Sequence, residues 1–233
     1  MIFSNVHTIM VIVKEKAMYK ACIFDLDGTL TNTLGSLEYS VNLTLKELGL
    51  PSITAEQTRA FVGDGARALL ERALKASGDE KLTKIDKAQE TYARIFKKFC
   101  TYEVEPYDGI VDMLKELKAK GVKLAVFSNK PHLQAIDVVE TFFGKDFFDV
   151  IMGQRDGYPR KPDPAGVFDI MKEFNLSKEE GVYVGDSDVD MKTGKASGLV
   201  TVGVTWGFRS REVLITNGAD RTIDHASELL QLF

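Results

Sequence analysis

Cysteine and histidine are scarce in this chain, with two cysteines and three histidines among 233 residues. Cys22 and Cys100 lie far apart and match no metal-binding spacing, so the sequence does not indicate a thiolate metal centre. Two cysteines also make no disulfide framework, which favours a reducing compartment, the cytoplasm. Cys22 lies inside an apolar run, and we expect it to be a small core residue.

Blocks of like charge and membrane-length apolar runs are missing as well. Acidic and basic residues are mixed along the chain and sum to a formal net charge of −4. Nucleic acid and an anionic membrane are therefore not expected as partners. The apolar run at residues 9–13 is too short to cross a bilayer, and the N-terminus lacks a signal-peptide pattern. We expect residues 1–17 to be an extension outside the functional unit.

The chain does contain short runs that are apolar throughout and end in polar clusters. Such runs are typical of strands buried on both faces of a parallel sheet. Helical stripes lie between them, for example Ile110, Met113 and Leu117, with Gly121 placed as a helix stop. Asp163 and Pro164 have the spacing of a helix start. The alternation predicts an α/β fold with a doubly wound parallel sheet. The apolar runs are residues 21–24, 124–127, 150–152, 182–184 and 201–204.

Between residues 31 and 105 the strand pattern stops and only helical stripes remain. One of them begins with Thr54 and Gln57 at capping-box spacing. We predict a small all-helical cap domain over 31–105, inserted into a catalytic core formed by 18–30 and 106–233. A cap that leaves and returns at the active edge of the sheet can act as a lid.

Three polar clusters are expected to meet although they are far apart in sequence. Asp25, Ser128 and Asp186 each follow a different apolar run, and ligands bind at the carboxyl ends of parallel strands. Asp25 and Asp27 are two carboxylates that would not both ionise easily unless a cation lies between them. Magnesium prefers such oxygen ligands. The alternative is a turn with capping aspartates, because Asp-Gly is common in turns.

Four segments resemble the motifs of the haloacid dehalogenase (HAD) superfamily, in the right order. The resemblance as a whole extends over nearly everything from residue 18 to residue 233. The resemblance implies a HAD-like Rossmannoid core with a helical cap. The segments are Asp25-Leu26-Asp27-Gly28-Thr29-Leu30, Ser128-Asn129-Lys130, Lys161-Pro162-Asp163-Pro164 and Gly185-Asp186-Ser187-Asp188-Val189-Asp190.

The resemblance also implies a role for each catalytic residue. Asp25 would be the nucleophile that forms an aspartyl-phosphate, and Asp27 would protonate the leaving oxygen and then activate water. Ser128 would donate a hydrogen bond to the phosphoryl oxygens. Lys161 would neutralise charge on the nucleophile and the phosphate.

Metal and substrate positions follow from the same resemblance. Asp186 would bind Mg²⁺ together with Asp25 and the carbonyl of Asp27, and Asp190 would orient Lys161 or metal-bound water. The substrate would be held around Gly28, Thr29 and Asn129. In the cap, Arg67 is a candidate cation for a substrate carboxylate, and its alternative interpretation is an exposed helix face.

Segments in the cap and near the C-terminus resemble the phosphoglycolate phosphatases within the superfamily. The resemblance implies a small phosphate ester as the substrate, with the protein acting as a monomer or homodimer. Two alternatives stay open: a phosphosugar mutase of the β-phosphoglucomutase type, and a non-catalytic phosphometabolite-binding protein. Lys130 is expected to be exposed to solvent, and Trp206 and Phe208 are expected to be packing or loop residues. The segments are 45–51, 61–65, 69–74, 202–208 and 223–224.

Overall fold

The computed structural model describes residues 19–233, so the predicted extension over 1–17 lies outside the described residues. Six strands form one parallel sheet in the order β5-β4-β1-β6-β7-β8. Each of the five predicted strand runs lies in this sheet. The strands are β1 Ala21–Phe24, β4 Lys123–Pro131, β5 Val150–Gln154, β6 Gly181–Gly185, β7 Val200–Val204 and β8 Arg221–Ile223.

Alternate residues of the central strand enter different cores, which explains its unbroken apolar sequence. Cys22 and Phe24 pack into the core that contains Ile110, whereas Ile23 packs into the core that contains Val167. Helices therefore cover both faces, and the predicted doubly wound fold is confirmed. The helices of this part of the chain are α5 Ile110–Ala119, α6 His132–Phe143, α7 Ala165–Glu173, α8 Asp188–Ser197 and α9 Arg211–Thr216.

Two predicted helix ends can be compared directly with the structure. Gly121 has φ +79° just after α5, and its N–H donates to the carbonyl of Lys118 at 3.0 Å. This is the left-handed glycine stop that the sequence predicts. At α7, Asp163 accepts a hydrogen bond from the N–H of Ala165, and Pro164 precedes the helix rather than beginning it.

Four helices form the segment called the cap: α1 Leu34–Glu47, α2 Ala55–Phe61, α3 Ala66–Ala76 and α4 Ile85–Phe99. Thr54 and Gln57 make the predicted capping box at the start of α2. None of the helices that the structure describes is long and apolar enough to cross a membrane.

A two-stranded ribbon that the sequence did not predict joins the cap to the sheet domain. β2, Thr31–Asn32, pairs antiparallel with β3, Glu105–Pro106. Each strand has only two residues, so its sequence is too short to show the hydrophobic pattern of a strand. The helices of the cap therefore begin three residues inside the predicted limit at 31 and end at residue 99, before the predicted limit at 105.

Candidate active site

The first motif forms a tight turn at the carboxyl end of β1. The N–H of Asp25 donates to the carbonyl of Val184 at 2.9 Å, which extends the pairing of β1 with β6 by one residue. The carbonyl of Leu26 then accepts hydrogen bonds from the N–H groups of Leu30 and Thr31, both at 3.1 Å. The turn holds Asp25 and Asp27 at the ligand-binding edge of the sheet.

Lys161 lies between two buried carboxylates. Its Nζ is 2.8 Å from Oδ1 of Asp25 and 2.7 Å from Oδ1 of Asp190. The contact with Asp25 is not aligned as a hydrogen bond, and Oδ1 of Asp25 has no hydrogen-bond partner among residues 19–233. Burial lowers the pKa of Lys161, but Asp190 and Asp25 outweigh this effect and hold it well above its ordinary value. The lysine is therefore a permanent cation beside Asp25.

Asp186 is fixed by hydrogen bonds to both of its carboxylate oxygens. Thr29 Oγ1 donates to Oδ1 at 3.0 Å, and the backbone N–H of Phe208 donates to Oδ2 at 2.8 Å. Gly28 packs against this carboxylate, because a Cβ at that position would lie 2.4 Å from Oδ2. Gly28 also has φ +88°, a conformation that favours glycine.

Three aspartates form a buried carboxylate cluster. Asp25, Asp186 and Asp190 each offer one oxygen, and these atoms all lie within 4.8 Å of one another. Burial, together with the neighbouring Asp190, raises the pKa of Asp25 to about 7. Burial and the charges of Asp190 and Asp25 also raise the pKa of Asp186 well above its usual range. The three carboxylates therefore have too little positive charge nearby for all of them to ionise easily.

The residues at this edge fit a divalent cation. The three carboxylates of Asp25, Asp186 and Asp190 lie near one ammonium group, that of Lys161, so when all three are ionised two negative charges have no neighbouring cation. Asp190 is already bound by Lys161 and by the hydroxyls of Tyr183 and Ser187. Asp25 and Asp186 are the carboxylates best able to accept a metal, and oxygen donors of this kind suit a hard divalent ion.

Lys130 is buried, so its predicted solvent exposure is wrong. Its side chain is 1% exposed, and Nζ lies 2.9 Å from Oδ1 of Asp27. The ammonium also lies over the ring of Phe96, 4.7 Å from its centre. The carboxylate of Asp27 is therefore paired with Lys130, which sequence reasoning missed.

Ser128 and Asn129 lie at the end of β4, as expected, and both line the pocket. Ser128 Oγ accepts a hydrogen bond from the N–H of Lys130 at 3.2 Å, so its own proton remains available to a ligand. The side chain of Asn129 binds protein rather than open space. It bonds to the backbone N–H and carbonyl of Lys161 and to the carbonyl of Gly63.

Three candidate substrate residues occupy positions that differ from expectation. Thr29 and Gly28 lie beneath Asp186 instead of facing the pocket, and the N–H of Gly28 already donates to the carbonyl of Thr31. Arg67 lies on an exposed face of the cap, where it pairs with Glu71 and donates to the side chain of Gln89. The structure does not bring Arg67 to the pocket, in agreement with its alternative interpretation as a solvated helix face.

The cap covers the carboxylates with a largely apolar wall. The pocket between cap and sheet comprises about 570 Å³ of space not occupied by atoms, a figure that includes open solvent. Its position under the cap suits a small molecule rather than a polymer. The cap side of the pocket includes Leu37, Val62, Ala66, Leu69, Tyr92 and Phe96.

Two arginines of the sheet domain also bind the cap, and no sequence pattern points to them. Arg209 donates to the carbonyls of Arg59 at 2.8 Å and Val62 at 2.6 Å. Arg160 donates to the carbonyl of Asp64 at 3.2 Å. Backbone carbonyls leave no pattern in a sequence, which explains why these contacts were not anticipated.

A doubly wound sheet with a carboxylate cluster, a buried lysine and a helical cap defines a capped α/β protein with an aspartate-based site. Residues 22–204 match the model of the haloacid dehalogenase-like hydrolase family. This match covers more than half of the chain, and the chain belongs to that family.

Curated and solved relatives agree with the family match. The chain is 32% identical to a phosphoglycolate phosphatase of Aquifex aeolicus, over 91% of this chain and 96% of the relative. It is 34% identical to a phosphoglycolate phosphatase of Colwellia psychrerythraea, over 89% and 94% of the two chains. The structure of CbbY from Rhodobacter sphaeroides, solved in complex with phosphate, superposes with a TM-score of 0.78 at 26% identity, covering 91% of this chain and 96% of that one.

Proposed function

We propose that this phosphatase of the haloacid dehalogenase-like family hydrolyses a small phosphate monoester, 2-phosphoglycolate, with the help of Mg²⁺. The observation that carries the proposal is the carboxylate of Asp25. It is buried on the pocket floor, 2.8 Å from the ammonium of Lys161, and within residues 19–233 its Oδ1 makes no hydrogen bond. A buried carboxylate whose charge is offset by a neighbouring ammonium is a suitable nucleophile for an electrophile bound in the pocket.

In the first step Asp25 attacks phosphorus. A bond forms between its carboxylate oxygen and phosphorus, and the bond from phosphorus to the ester oxygen breaks. Asp27, which takes up a proton from solvent before this step, gives it to the departing oxygen. Lys161 and the hydroxyl of Ser128 bind the phosphoryl oxygens and offset their charge.

In the second step water attacks the aspartyl-phosphate. Asp27, now a carboxylate, takes a proton from the water as the new oxygen–phosphorus bond forms. The bond to Asp25 breaks, inorganic phosphate leaves and both aspartates return to their starting states. The apolar wall of the cap keeps other water away from the reaction.

Asp25 and Asp186 would hold the magnesium ion, and the resemblance adds the carbonyl of Asp27. Bound there, the cation supplies positive charge to the carboxylates and to the transferring phosphoryl group. Thr29 and the N–H of Phe208 keep Asp186 in place for this role.

The curated relatives support 2-phosphoglycolate as the substrate, because those at 32% and 34% identity are phosphoglycolate phosphatases. A pocket formed between the cap and the carboxylates agrees with a small ester. Location in the cytoplasm and a monomeric or homodimeric state stay predictions from the sequence.

Phosphate release from four phosphate compounds, with Mg²⁺ or with EDTA, tests the proposal. The compounds are 2-phosphoglycolate, β-glucose 1-phosphate, pyrophosphate and a nucleoside monophosphate. We expect Mg²⁺-dependent release from 2-phosphoglycolate, loss of that release in Asp25→Asn, and wild-type behaviour in the exposed control Asp86→Asn.

Other outcomes redirect the proposal. Selective release from another of these compounds retains the chemistry and rejects the substrate. Isomerised glucose phosphate without free phosphate makes the protein a mutase. Metal-dependent binding without turnover makes it a binding protein. Full turnover in Asp25→Asn overturns the mechanism.

A further inference from the structure

Three cationic side chains line the pocket in the described part of the chain: Lys130, Lys161 and Arg209. Lys161 is held by two carboxylates on the side of the nucleophile. Arg209 directs its guanidinium nitrogens at cap carbonyls, with donor–acceptor distances of 2.6 to 2.8 Å for the two shortest bonds. Lys161 is therefore paired with carboxylates and Arg209 with backbone carbonyls of the cap. Lys130 is the remaining cation that could bind a ligand.

Lys130 has unused hydrogen-bonding capacity at a buried position. An ammonium carries three N–H donors, and Oδ1 of Asp27 is the one acceptor that Nζ of Lys130 has within residues 19–233. One side of the ammonium is covered by the ring of Phe96. A buried cation with free donors at a pocket wall is a favourable place for a second anion.

The position of Lys130 relative to Asp27 indicates where that anion belongs. Asp27 is the group proposed to protonate the departing ester oxygen, and its Oδ1 is 2.9 Å from Nζ of Lys130. The carbon that carries the departing oxygen must therefore come close to this ion pair. In a 2-phospho acid the carboxylate is attached to that same carbon, so it arrives beside the ammonium.

We propose that Lys130 binds the carboxylate of the substrate and selects phosphate esters of small 2-hydroxy acids. This inference rests on the proposed function and takes over the role first considered for Arg67, which lies on the outer face of the cap. Apolar side chains such as Leu69 and Phe96 form the wall around the ammonium. An ion pair between the buried ammonium and the substrate carboxylate discriminates strongly against a substrate with an uncharged group at that position.

Two substrates that differ only in this group test the inference. One is 2-phosphoglycolate and the other is 2-hydroxyethyl phosphate, in which CH₂OH replaces the carboxylate. We measure kcat/KM for both with wild type, Lys130→Met, Lys130→Gln and the control Lys97→Met, which changes an exposed lysine beside Phe96.

The expected result is a change in the ratio of the two kcat/KM values. Wild type and Lys97→Met prefer 2-phosphoglycolate by roughly 10- to 100-fold, the factor that a hydrogen bond to a charged group supplies. In Lys130→Met and Lys130→Gln the two values come within a few-fold of each other. The ratio is taken on one preparation, so a misfolded fraction lowers both values equally and cancels.

Two results overturn the inference in distinguishable ways. If Lys130 serves only Asp27, both substrates lose rate by the same factor and the wild-type ratio persists in the variants. Wild type that does not turn over 2-phosphoglycolate overturns the proposed function, and this inference with it.

Discussion

Asn129 holds the backbone of Lys161 at both of its polar atoms. Oδ1 of Asn129 accepts from the N–H of Lys161 at 2.9 Å, and Nδ2 donates to the carbonyl of Lys161 at 3.1 Å. The same Nδ2 donates to the carbonyl of Gly63 in the cap at 3.0 Å. One side chain therefore supports both the placement of Lys161 and the docking of the cap.

Replacement Asn129→Ala removes these three hydrogen bonds without touching the charged groups. We expect kcat to fall roughly 100-fold, because a small displacement of a positioned group has an effect of that order. Steady-state kinetics with saturating Mg²⁺ measure it. An unchanged kcat would show that Lys161 holds its place without Asn129.

Replacement Lys161→Ala leaves the buried carboxylates of Asp25 and Asp190 without their cation. We expect the free energy of unfolding of the metal-free protein to fall by about 3 to 5 kcal/mol. Urea unfolding in EDTA measures the loss. The control Lys87→Ala breaks an exposed pair with Glu90 and should change stability by no more than about 1 kcal/mol. Equal effects in the two variants would contradict the prediction.

The raised pKa of Asp25 makes the metal-free protein less stable as the pH rises. Burial lifts this pKa from 3.8 to about 7, so between these values the folded state keeps a proton that the unfolded chain has lost. Stability that depends on this proton is present at low pH and declines through the window up to about pH 7.

Urea unfolding in EDTA at pH 5, 6, 7 and 8 measures this dependence. The difference in stability between wild type and Asp25→Asn isolates the contribution of Asp25, and we expect wild type to lose stability relative to the variant as the pH rises. A difference that stays constant across the series would show that Asp25 is ionised throughout.

Gly28 is constrained by its backbone and by its neighbour at once. In Gly28→Ala the new Cβ would lie 2.4 Å from Oδ2 of Asp186, so we expect weaker Mg²⁺ binding as well as a stability loss of about 1 to 3 kcal/mol. Gly49→Ala is the matched control. Gly49 also has a positive φ of +69°, but no atom lies within 4 Å of the added Cβ.

Isothermal titration with Mg²⁺ separates the two glycine variants. Gly49→Ala should lose stability by about 1 to 2 kcal/mol from backbone strain and bind Mg²⁺ as wild type does. Wild-type affinity in Gly28→Ala would show that Asp186 can move aside.

The sequence predicted the sheet and the edge where the site forms because both depend on local signals. Strands buried on both faces are apolar throughout, as Cys22 and Phe24 illustrate on one face and Ile23 on the other. Parallel pairing then brings the residues that follow each strand to one edge. For this reason Asp25, Ser128 and Asp186 could be placed together without coordinates.

The surroundings of Lys130 could not be predicted because its partners are distant in sequence. Asp27 lies 103 positions away, and Phe96 belongs to a helix of the cap. A lysine beside a motif has no local sign that it will be buried. The same holds for Arg209, whose partners are backbone carbonyls 147 to 150 residues away.

Arg67 is a residue for which the sequence allows two interpretations, a substrate-binding cation and an exposed helix face, and the structure agrees with the second. Its neighbours Leu69 and Ala66 line the pocket, but the helix turns Arg67 toward Glu71 and Gln89 on the outside. Near a loop, the sequence alone does not determine which residues of a helix face the core. A shift of one position is enough to turn a side chain away from a site.

The ribbon of Thr31–Asn32 and Glu105–Pro106 places the two crossings between cap and sheet side by side. In the topology of the sheet domain, the four cap helices together form one long connection between β2 and β3. A chain without them would need only a turn to join the two strands. The cap can thus be lengthened, lost or exchanged as a block without a change in the connections within the sheet.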